Sequence, residues 1–136
     1  MPPPDRIVAA ARGWIGTPFR HRASLRGVGC DCLGLVRGVW QEILGPEPEG
    51  LPAYSPDWAA AGREILLEAL ARHCPPAGAV EAGAIVVLRW RAHLPAGHCA
   101  IATGPEAIVH AHAGAAVAEV ALAPWGRRVA AVLRFP

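Results

Sequence analysis

Cys32 lies in Gly29-Cys30-Asp31-Cys32-Leu33-Gly34-Leu35, where a glycine-bearing loop gives way to an apolar helical pattern. A cysteine at a helix start faces unpaired backbone N–H groups and the positive end of the helix dipole, and both favour thiolate over thiol. That is how a thiol nucleophile is prepared. Gly34 costs up to about 1 kcal/mol of helix propensity relative to alanine, so a substrate is expected to approach the backbone closely there. A thiolate nucleophile also needs a base within hydrogen-bond reach, and the fold can bring that base from far along the chain. His98 heads the run His98-Cys99-Ala100-Ile101-Ala102-Thr103, straight after Pro95-Ala96-Gly97, so its ring is expected at a sheet end where a cleft can form. His110 and His112 stand two apart, hence on one face of a strand. If the turn Gly104-Pro105-Glu106 joins antiparallel strands, His110 falls close to opposite His98 or Cys99. His112 competes with His110 for the third position, while His21, His73 and His93 read as loop or helix-end residues.

These residues need elements to hold them. Asp5 can cap a first helix over about residues 5–15, with Ile7, Val8, Ala11, Trp14 and Ile15 at helical spacing. Residues 16–31 lose that period amid Gly16, Pro18, Gly27 and Gly29, which predicts a long loop of the kind that often carries function. A second helix starts near Cys32, with Leu35, Val36, Val39, Trp40 and Ile43 on one stripe, and stops at Leu44-Gly45-Pro46. Asp31 either caps that helix or contacts a substrate amine. Residues 45–57 form an irregular connection, and Asp57 caps a third helix reaching about His73. Short β-type runs follow at Ala84–Trp90, His98–Thr103, Ala107–His112, Val117–Leu122 and Val129–Phe135. Helices first and strands after predict an α+β single domain over residues 1–136, with N-terminal helices packed on a mostly antiparallel sheet rather than a doubly wound parallel one.

Composition narrows the function classes. The chain has 136 residues, 53% hydrophobic and 18% charged, enough apolar surface to fold. Its net charge is only +2, and all thirteen basic residues are scattered arginines, so no stripe exists to grip a nucleic acid. No apolar run is long enough to insert in a membrane, and Met1-Pro2-Pro3-Pro4-Asp5-Arg6 lacks the pattern of a secretory leader. Synthesis in the cytoplasm without a signal peptide is therefore expected, with reduced thiols at Cys30, Cys32, Cys74 and Cys99. Zinc could draw on Cys30, Cys32, His98, Cys99, His110 and His112. Cys30-x-Cys32 is one residue short of the usual knuckle, however, and no second tight pair matches, so no metal is expected. Trp14, Trp40, Trp58, Trp90 and Trp125 read as core and helix-packing residues.

Five short motifs occur in order: Gly16-Thr17-Pro18-Phe19, Asp31-Cys32-Leu33-Gly34-Leu35, Gly83-Ala84-Ile85-Val86-Val87, His98-Cys99-Ala100-Ile101 and Val109-His110-Ala111. In this series, from about residue 5 to the C-terminus, the chain resembles the NlpC-like papain-fold cell-wall peptidases. The resemblance implies Cys32 as nucleophile, His98 as general base and then acid, and His110 as the group that orients His98. It also implies peptide bonds of the peptidoglycan stem as substrate and no cofactor. Phe19, Asp31 and Leu33 are the positions expected to contact substrate. Phe19 stands where the family has tyrosine and Leu33 where it has serine, so two polar contacts are missing and the usual bond specificity is in question. The insert Arg20–Val28 and the close Pro124-Trp125-Gly126-Arg127-Arg128 resemble the phage-tail and gene-transfer-agent branch. That branch implies particle proteins as partners and action in the periplasm or cell wall. Two other readings stand beside this one: an inactive tail-tip or hub module, and an amidase or acyltransferase on the same scaffold, since a thioester can pass to acceptors other than water.

Overall fold

The computed structural model describes residues 2–48 and 62–136. Helix α1 spans Pro4–Arg12, and helix α2 spans Cys32–Leu44. Between them a two-stranded hairpin, β1 (Ser24–Leu25) and β2 (Gly29–Cys30), occupies part of the expected loop. Helix α3 (Ile65–Ala71) precedes five strands: β3 (Ile85–Leu88), β4 (His98–Ala102), β5 (Ala107–His110), β6 (Ala118–Ala121) and β7 (Val129–Leu133). A 3-10 segment, Ala123–Arg128, links the last two. The strands form one sheet in the order β6-β5-β4-β3-β7, every neighbouring pair antiparallel. The architecture is α+β, as the order of elements predicts.

The first helix differs in detail from expectation. Pro4 occupies its first turn and Pro3 its N-cap, with no side-chain cap, so Asp5 is a first-turn residue that complements the helix dipole. The helix ends at Arg12, and Ile15 is exposed rather than part of the buried stripe. Asp57 and Trp58 lie outside the described residues, but α3 begins only at Ile65, after non-helical residues 62–64, and ends at Ala71, so it is shorter than the helix predicted from Asp57 to about His73. Each strand is shorter than its apolar run, because the run continues into residues that leave the ladder. Trp90 and Leu122 both lie beyond their strands.

Alternation sorts the sheet into two apolar layers. Ile85, Val87, Cys99, Ile101 and Val109 face a core shared with Ile7, Ala11, Trp14, Leu35, Val39 and Leu66. Ala84, Val86, Leu88, Ala100, Ala102 and Ile108 face a smaller layer that includes Trp125. Helix α2 is locked in place by two glycines. A Cβ on Gly38 would overlap the Trp14 ring, so α1 and α2 approach through a notch at that position. A Cβ on Gly34 would overlap the Ala23 carbonyl oxygen, and Ser24 Oγ donates to the Gly34 carbonyl at 2.7 Å. What crowds Gly34 is therefore the chain's own hairpin, not a substrate, which corrects the sequence-based expectation.

Gly34→Ala is expected to destabilise the fold by about 2 kcal/mol or more, because backbone must shift to admit the methyl group. Urea unfolding at constant m would measure it. An unchanged midpoint would show that the hairpin is not docked on α2.

Candidate active site

Asp31 sets the position of Cys32. Its Oδ1 accepts the Gly34 amide at 2.7 Å, capping α2, and its Oδ2 accepts the Arg22 amide at 2.7 Å from the turn that precedes the hairpin. The carboxylate is 3% exposed. Of the two roles open in the sequence, the cap is the one this geometry fills. Cys32 follows as the first helical residue, 7% exposed, in the field of the helix N-terminus.

Two partners reach the Cys32 thiol. The Cys99 thiol donates to it, burial opposes ionisation, and His98 adds a hydrogen bond and a positive charge. Against the opposing charge of Asp31, the balance holds Cys32 well below the usual thiol range. Cys99 is pushed the other way, by the Cys32 thiolate it donates to and by its own burial. The pair shares one thiolate, and it belongs on Cys32, which has the helix N-terminus and His98 while Cys99 sits within a strand. Burial, with Asp31 and Cys32 nearby, pushes Cys30 up to about 12. Burial alone takes Cys74 to about 11. All four cysteines are free thiols.

His98 is 2% exposed at the head of β4, opposite Leu88. Its Nε2 lies 2.9 Å from His110 Nδ1, which leaves Nδ1 for Cys32. The register Ile101↔Val109 and Ala102↔Ile108 sets His110 beside Ala100, so the two histidines are a diagonal pair on one face rather than directly opposed. The diagonal still lets the rings meet. Burial, His98 and His112 together lower His110 to about 4, so near neutral pH it is uncharged. An imidazolium at His98 can only donate, hence His110 must accept at Nδ1 and carry its proton on Nε2. His112 is excluded from this role by distance: its Nδ1 pairs with the Ala113 carbonyl at 2.8 Å, and its ring centroid is 6.5 Å from that of His98.

The remaining expected positions are spread differently. Leu33 is 2% exposed and packs in the main core, so its side chain does not line a cleft. Phe19 is half-buried on the same core, bridged to Cys30 in the segment before Cys32. Sequence reasoning missed Glu64, which pins the loop leading to His98. It accepts Arg89 Nη1 at 2.6 Å and the Ala96 amide at 3.0 Å. Burial would raise its pKa, but the Ala96 amide and Arg89 outweigh that and lower it. Trp125 is buried in the smaller core layer, as expected of a core residue, whereas Trp90 is exposed; reasoning missed that both lie against His98, with centroids 5.4 and 4.8 Å away. Among the described residues, no three or more His, Cys, Asp or Glu side chains are arranged so that they could hold a metal ion, and no helix is long and apolar enough to cross a membrane.

Site-resolved alkylation by iodoacetamide is expected to label Cys32 rapidly well below pH 8, while Cys30, Cys74 and Cys99 stay unreactive across the neutral range, since thiolate is the reacting species. His98→Ala should slow Cys32 at neutral pH. Equal labelling of all four cysteines would refute the assignment.

No family model matches the chain, and no curated protein matches its sequence. Solved structures do match. The NlpC/p60 domain of the peptidoglycan hydrolase SagA superposes with a TM-score of 0.62 at 21% identity, covering 98% of this chain and 99% of that one. An NlpC/p60 family protein from Bacillus cereus ATCC 10987 gives a TM-score of 0.70 at 17% identity, over 98% of this chain and 40% of that one. A protein from Staphylococcus aureus subsp. aureus Mu50, described as similar to a lipoprotein of the NLP/P60 family, gives 0.60 at 16%, over 96% and 40%. The chain thus spans about two fifths of the length of the latter two. With the helices on one side of a five-stranded antiparallel sheet, it has the NlpC/p60 fold.

Proposed function

We propose that the protein is a cysteine peptidase that hydrolyses peptide bonds of bacterial peptidoglycan. The observation that carries this reading is the thiol of Cys32 at the start of α2, hydrogen-bonded to a buried His98 whose other nitrogen is 2.9 Å from His110. The peptidoglycan hydrolase domain with the same fold supports the choice of substrate.

The chemistry follows from the protonation states. Cys32 thiolate attacks the amide carbonyl carbon, a C–S bond forms and the carbonyl electrons move onto oxygen. Amides of Gly34 and Leu35 already pair with Asp31, so the Cys32 and Leu33 amides at the helix start serve the oxyanion. His98 gives its proton to the amine nitrogen as the C–N bond breaks, leaving a thioester. Water then attacks, His98 takes its proton, and collapse breaks the C–S bond to restore thiolate and imidazolium. His110 stays neutral throughout and holds the His98 ring.

Placement on a phage-like tail or gene-transfer particle, which delivers the enzyme to the cell wall, belongs to the same reading. It is supported by the Arg20–Val28 insert, folded here as the β1–β2 hairpin with Leu25 and Val28 each 60% exposed, and by the Pro124–Arg128 segment. Apolar surface of that kind suits a neighbouring particle protein.

Incubation of purified peptidoglycan fragments with the wild-type protein should release products with new amino and carboxyl termini within the stem, read by mass spectrometry. Cys32→Ala should lower the rate by about a thousandfold or more with little change in Tm. Products carrying an added amine in place of water would reassign the protein as a transferase. Intact fragments, or cleavage that survives Cys32→Ala, would overturn the proposal.

A further inference from the structure

His98 is held in the plane of its ring by His110 and Cys32, but bonds at the edge do little to restrain its tilt, because the second side-chain torsion of histidine is broad and weakly restrained. The face of the ring is met by two indoles. Trp125 stacks on it at 5.4 Å and 15°, and Trp90 lies 4.8 Å away at 35°. The indole centroids are themselves 5.3 Å apart. The three ring centroids therefore make a nearly equilateral triangle, so each indole packs against the other as well as against the imidazole.

Neither indole sits on regular structure. Trp90 follows β3, where the pairing with β7 shifts register between Val87 and Leu88, and it is 38% exposed. Trp125 belongs to the 3-10 segment, which kinks at Gly126, φ +49°. Arg128 joins the two. Its Nη1 donates to the Trp90 carbonyl at 2.9 Å, its Nη2 to the Pro124 carbonyl at 2.8 Å and its Nε to the Trp125 carbonyl at 3.3 Å. Its guanidinium carbon also lies 4.8 Å from the centre of the Trp125 ring. A planar fork suits this arrangement, because its separated N–H groups reach three carbonyls on two loops while the plane lies near an aromatic ring.

We propose that Arg128, Trp90 and Trp125 form a clamp that positions the His98 ring for Cys32. These are positioning residues, acting through His98. The proposal rests on the Cys32–His98 pair of the preceding reading and is independent of its substrate. The clamp explains why an indole remains partly exposed beside a buried histidine, and why the Pro124–Arg128 segment turns back onto the head of β4.

The test is the pH profile of Cys32 alkylation in the intact protein, with Tm recorded for every variant. Arg128→Met keeps the apolar stem and removes the fork. It should move the reactivity midpoint upward, so that labelling at about pH 6 slows about tenfold while rates above about pH 9 converge. Arg128→Lys keeps the charge but cannot span three carbonyls, so it should shift the midpoint as far. Trp125→Leu and Trp90→Ala should shift it in the same direction, and if Trp125→Leu fails to fold, the more exposed Trp90 and Arg128 carry the test. A lower Tm with an unmoved midpoint would overturn the clamp and leave the Cys32–His98 pair standing. Full recovery by Arg128→Lys would likewise overturn it. An ordinary thiol midpoint in the wild-type protein would overturn both the pair and the clamp.

Discussion

Asp31 is the constraint on which the site depends. A carboxylate only 3% exposed is costly to bury unless its oxygens are paired. Here each accepts a backbone amide, one inside α2 and one in the turn that leads into the hairpin. Those two bonds fix where the helix begins and therefore where Cys32 stands. The same negative charge opposes the thiolate one residue away. The fold accepts that repulsion because the helix N-terminus, Cys99 and His98 together outweigh it, and the cap that creates the repulsion also aims the helix amides at the thiol.

Proton location follows from surroundings rather than residue type. Four buried thiols differ because only Cys32 combines a helix start, a thiol donor and an imidazole, whereas Cys30 and Cys74 meet little but apolar neighbours or negative charge. Of the histidines, His110 is kept uncharged by burial and by its neighbours, which makes it an acceptor for His98 instead of a competing cation. His112, two residues on, is turned to its own backbone. Strand register decides this division: a shift of one residue would send His110 to the opposite face of the sheet.

Much of this was legible in the sequence. The cap at Asp31, the start of α2 at Cys32, the stop at Gly45 and the antiparallel sheet all follow from local rules that the structure obeys. Sequence reading falls short where a distant group decides. At the N-terminus, Pro4 rather than Asp5 determines how α1 begins, since its fixed φ suits the first turn. Gly34 announces a close approach without saying what approaches, and the Ala23 carbonyl comes from a hairpin whose short strands carry no clear alternation. The resemblance puts Leu33 where a substrate-contacting serine is usual, but helical geometry turns its side chain into the core. Trp125 is the core residue it looks like, and Trp90 is not, but nothing local ties either to His98; Arg128 bonds to both backbones, and only the folded chain brings it between them.

The central claim is that Cys32 is a thiolate near neutral pH because His98 and the start of α2 hold it so. The most direct measurement is the ultraviolet absorbance of the thiolate, followed as the wild-type protein is titrated and corrected with Cys32→Ala. The account predicts a single thiolate step well below pH 8 that the substitution abolishes. A first step appearing only in the alkaline range, or one that persists without Cys32, would contradict it.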